Sequence, residues 1–67
     1  MTPEARRRFT VEARQIEASI AVAVNRMRTM PVPTQVPGRL WKRCQRELEA
    51  SLQEIRTVIA ELEGVPE

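Results

Sequence analysis

The chain has 67 residues, of which 42% are hydrophobic, 30% charged and 3% aromatic, and a formal net charge of +2. A domain this small buries only about 60% of its unfolded surface, so it needs disulfides, a metal, oligomerisation or near-ideal helix packing. Cys44 is the only cysteine, which excludes an internal disulfide, and without His or Asp the usual metal-ligand sets cannot be assembled.

The first element announces itself at the amino terminus. Thr2, Pro3 and Glu4 supply an N-cap, a first-turn proline and a first-turn acid in succession, which predicts a helix from residue 3. The residue before a proline is driven out of the α region, so Met30 ahead of Pro31 ends it and the helix covers 3–29, roughly 40 Å long at 1.5 Å per residue. Phe9, Ala13, Ile16, Ile20, Ala23, Met27 and Met30 alternate at spacings of four and three, a heptad seam.

A second series runs along the far face of the same helix. Val11, Gln15, Ala18, Val22, Asn25 and Thr29 follow the same alternation, and the stretch 18–24 is apolar almost all round, as expected of a helix covered on more than one side. Val11, Ala18 and Val22 are therefore candidates for self-association. Alanine alone would be explained by helix propensity; the valines are not.

Residues 31–38 hold three prolines and a glycine, a composition that no helix interior or central strand tolerates, so 30–37 is read as a stiff loop. The second helix is expected over about 38–63, with Gly64, Val65 and Pro66 as its stop. Leu40, Trp41, Cys44, Leu48, Leu52, Ile55, Val58, Ile59 and Leu62 fall within about 120° of its circumference, with Ser51 the only polar residue in that sector. Cys44 is thus expected to be a small buried hydrophobe.

Two helices of similar length across a short connection predict an all-α fold for residues 1–67, an antiparallel two-helix hairpin. Two helices alone leave each seam partly open to water. The expected assembly is therefore a homodimer forming a four-helix bundle, or a hairpin docked on a larger protein partner.

Charge is divided along the chain. Arg26, Arg28, Arg39, Lys42, Arg43 and Arg46 occupy the middle with no acid among them, while 47–67 carries six glutamates against Arg56. In a hairpin the cluster Arg6, Arg7 and Arg8 meets the acidic tail at the open end, and the uncompensated cations gather at the loop end. Cations suit the C-terminal end of the first helix but oppose the dipole at the start of the second. Together with Trp41 as a stacking group, they are candidates for holding a polyanion or an acidic partner. Trp41 also fits a role in closing the core. Glu4 with Arg8, Arg8 with Glu12 and Arg43 with Glu47 are spaced for surface ion pairs.

Enzymatic activity is not expected. Without His, Asp or Tyr, proton transfer would rest on glutamates that no motif singles out, and nothing places a base beside Cys44 or a serine. No phosphate-binding glycine loop, cofactor motif, secretory leader or membrane-length apolar run is present, so no cofactor and no membrane association are expected, and the location is read as cytoplasmic. The functional expectation is a non-catalytic interaction module that self-associates and binds a macromolecule through a helix face or its basic loop end. The alternative is a small nucleic-acid-binding regulator.

Overall fold

The computed structural model describes residues 1–65, and the expected stop at Pro66 and the last acid, Glu67, lie outside the described residues. Two helices, α1 (Pro3–Thr29) and α2 (Gly38–Gly64), pack against each other along their length. The hairpin measures 51 × 15 × 14 Å. Three ion pairs fix its sense: Arg14 meets Glu63, Glu17 meets Arg56 and Arg28 meets Glu49, so positions rise along one helix as they fall along the other.

The helix limits follow from local chemistry. The Thr2 hydroxyl accepts from the Ala5 N–H at 3.1 Å, satisfying one of the first-turn donors that have no partner within the helix. Met30 is extended, with φ −81° and ψ 142°, the conformation that a following proline imposes. In the loop the Val36 N–H donates to the Pro33 carbonyl at 3.2 Å, closing a turn, and Leu40 and Trp41 donate to the Pro37 carbonyl to open α2. At the far end Gly64 is still helical and its φ is not positive; the break comes one residue later at the extended Val65. The glycine therefore acts as the last helical residue and not as a left-handed cap.

Packing departs from the expected seam. Only Ala13 and Val24 on α1 and Leu52 and Ile59 on α2 are buried, and no side chain among the described residues is wholly covered. Phe9, Ile16 and Met30, expected in the seam, are exposed, as are Leu40, Cys44 and Val58. In their place Glu17, Gln45 and Glu49 are half-buried beside the contact line. The reason is the width of the apolar arcs. One helix covers only a narrow strip of its neighbour at an interaxial spacing of about 8–10 Å, and the strip settles where small Ala13 allows close approach and where the flanking acids reach arginines. The remaining apolar residues are left on one side.

Candidate interaction surfaces

The two long sides of the hairpin differ in chemistry. At about 100° per residue, Arg14, Glu17 and Arg28 fall on one side of the line through Ala13 and Val24. Glu49, Arg56 and Glu63 fall on the matching side of the line through Leu52 and Ile59. This side is tied by ion pairs. Arg28 donates from Nε at 3.0 Å and from Nη2 at 2.6 Å to Oε1 of Glu49; Arg56 lies 3.9 Å from Glu17; Arg14 pairs with Glu63.

The opposite side is an apolar groove of about 350 Å³. Its floor is Ala13, Ile20 and Ile55; its banks are Phe9 and Ile16 on α1 and Ser51 and Val58 on α2, with Glu54 at the rim. Phe9 is 47% exposed, Ile16 52% and Val58 41%. The bank positions recur every seventh residue, as Phe9, Ile16, Ala23 and Met30 on one helix and Cys44, Ser51 and Val58 on the other. That is the repeat of a third row beside a coiled-coil seam.

The far-face candidates Val11, Ala18 and Val22 are exposed on a single helix. Gln15, Asn25 and Thr29, also exposed, lie among them, and the Thr29 hydroxyl donates back to the Asn25 carbonyl at 3.0 Å. Val11 also borders a hollow at the open end with Arg6, Arg7, Thr10, Leu62 and Glu63.

At the loop end Arg26, Arg39, Lys42, Arg43 and Arg46 are exposed, and none of their charged groups has an ion-pair or hydrogen-bond partner among the described residues. Arg28 differs from the expectation, because the antiparallel register brings Glu49 to it and neutralises its charge. Trp41 is half-buried on the inner face of α2, in a row with Leu48, Ile55 and Leu62. Its ring is therefore largely engaged in packing. No side-chain cap or first-turn acid offsets the cations at the start of α2.

Cys44 is exposed and free, which corrects the expectation of a buried thiol. By its seven-residue spacing it continues the bank row of Ser51 and Val58 toward the loop end, beyond the residues that line the groove. Of the three helical ion-pair spacings, Glu4 and Arg8 approach to 4.0 Å, whereas Arg8 with Glu12 and Arg43 with Glu47 form no pair. Among the described residues no group of His, Cys, Asp or Glu is placed to hold a metal ion, and no helix is long and apolar enough to cross a membrane.

The groove was not legible as a separate feature in the sequence, because its banks and the true contact line merge into one broad apolar arc on each helix. The signal that separates them is the set of acids at 17, 49 and 63 and basic residues at 14, 28 and 56 beside that arc. Read as antiparallel pairs, they mark which edge of the arc is closed. No protein-family model, curated protein or solved structure matches the chain.

Proposed function

We propose that the chain is a non-catalytic interaction module: a helical hairpin that associates with itself and engages a macromolecular partner through a helix face or its basic loop end. The observation that carries this reading is the asymmetry between its sides. Ion pairs tie one, while the other exposes Phe9, Ile16 and Val58 above half-buried Ile20 and Ile55. Contiguous apolar surface drawn from two elements marks a site of association, and a second helical pair laid on it completes a four-helix bundle. Light scattering over a range of concentrations tests this. The expected result is more than one chain per particle, and a monomer at every concentration contradicts it.

A second reading, a small nucleic-acid-binding regulator, is favoured by the five loop-end cations whose charged groups have no partner among the described residues. Cations opposed to a helix dipole cost stability, and an external anion would offset that cost. Titration of labelled RNA and DNA at two salt concentrations separates the readings. Binding that collapses as salt rises, and that is lost when Arg39, Arg43 and Arg46 are all changed to Ala, supports the second; no binding at low salt removes it.

A further inference from the structure

We infer that the apolar groove is a homodimer interface in which two hairpins pack with their loop ends apart, about a two-fold axis at the level of Ser19 and Ser51. The inference rests on the self-association proposed above and adds the occupant, the face and the orientation.

The bank rows suggest the axis. The row Phe9, Ile16, Ala23 and Met30 is centred between Ile16 and Ala23, and the row Cys44, Ser51 and Val58 is centred on Ser51. These centres lie at similar heights, because Glu17 reaches Arg56 and Arg28 reaches Glu49 across the hairpin. A two-fold axis through that level, perpendicular to the helices, lays α1 on α1 and α2 on α2 in antiparallel sense. Phe9 then meets Met30 of the second copy, Ile16 meets the short side chain of Ala23, and Val58 meets Cys44. Each large bank residue faces a smaller or more adaptable one, the arrangement that close packing requires.

The groove rim chooses between the two possible orientations. On α1 the rim carries Glu12 and Arg26, and on α2 it carries Glu47 and Glu54 with Arg43 and Glu61 just outside them; all are exposed and without an ion-pair partner among the described residues. With loop ends apart, Arg26 of one copy lies over Glu12 of the other and Arg43 lies near Glu61, against one repulsive approach of Glu47 to Glu54, and symmetry makes each pair twice. With loop ends together, α1 lies on α2 of the second copy. Glu12 then faces Glu54 and Glu61, Arg26 lies between Arg43 and Glu47, and the cations of both loop ends converge, so repulsive approaches outnumber attractive ones. Like charges across an interface select against that pairing. A two-fold dimer also closes, so no further copies add.

Spin labels at Gln35→Cys in a Cys44→Ala background read the orientation directly. Loop ends apart give a distance of about 45 Å from the rise per residue, close to the 51 Å length of the hairpin; loop ends together give roughly 20 Å, two interaxial spacings. A charge change gives a second readout. With loop ends apart, Arg26→Glu weakens the dimer about tenfold at low salt and Glu12→Arg in the same chain restores it. With loop ends together, Glu12 and Arg26 of different copies lie at opposite ends, and Glu12→Arg restores nothing. A short distance or a failure of Glu12→Arg to restore the dimer overturns the orientation and leaves self-association standing. One chain per particle in the unchanged protein, measured by light scattering, overturns both.

Discussion

Glu49 and Glu17 show how much of this packing depends on side chains that a search for apolar pattern passes over. Each lies half-buried beside the contact line, with its carboxylate turned to an arginine on the other helix. The Arg28 and Glu49 side chains remain 60% and 37% exposed, so water screens the pair and its contribution is modest. Glu49→Gln is expected to cost about 0.2–1 kcal/mol in urea unfolding at low salt, less in high salt. Leu52 is buried on the contact line, 9% exposed; Leu52→Ala is expected to cost about 2–5 kcal/mol in the same measurement. The ordering of the two values is the check, because an ion pair that outweighed the buried leucine would mean that the charged edge dominates the fold.

The limits of α1 were legible for reasons confined to a few residues: the Thr2 hydroxyl with Pro3, and the steric rule that a proline imposes on Met30; the end of α2, expected at Gly64, comes one residue later at Val65. The rotation of each helix about its own axis was not legible. It is decided by which part of a wide apolar arc meets the other helix, and that depends on Ala13, on the partnering of Glu17 and Glu49, and on the register between helices. The same limitation hid the neutralisation of Arg28, since its partner lies far along the chain. At the start of α2 the element keeps charges that oppose its dipole, with no side-chain cap. Arg39→Glu is therefore expected to stabilise the helix by about 0.3–1 kcal/mol, read as a higher unfolding midpoint, while weakening any binding of polyanions. Gly38, with open space around its Cβ position and a φ that is not positive, is expected to accept alanine with a gain of about 0.4–1 kcal/mol.

As a whole the molecule is a thin rod, 51 Å by 15 Å by 14 Å, in which no side chain among the described residues is wholly covered. The absence of disulfide and metal support, noted from composition, is answered here by an apolar face that a second hairpin would cover. Cys44 is exposed and, in the dimer inferred above, meets Val58 of the second copy, so its rate of alkylation is expected to fall as protein concentration rises; a rate independent of concentration would place the thiol outside any interface. The most direct test compares the mass in solution of the unchanged chain with those of Ile16→Glu and Val22→Glu, each checked for helix content by circular dichroism. Ile16→Glu puts a charge on the groove bank and is expected to reduce the particle to one chain, while Val22→Glu, on the far face, leaves two. Dissociation by Val22→Glu with an intact Ile16→Glu dimer, or a single chain in every sample, would contradict the account.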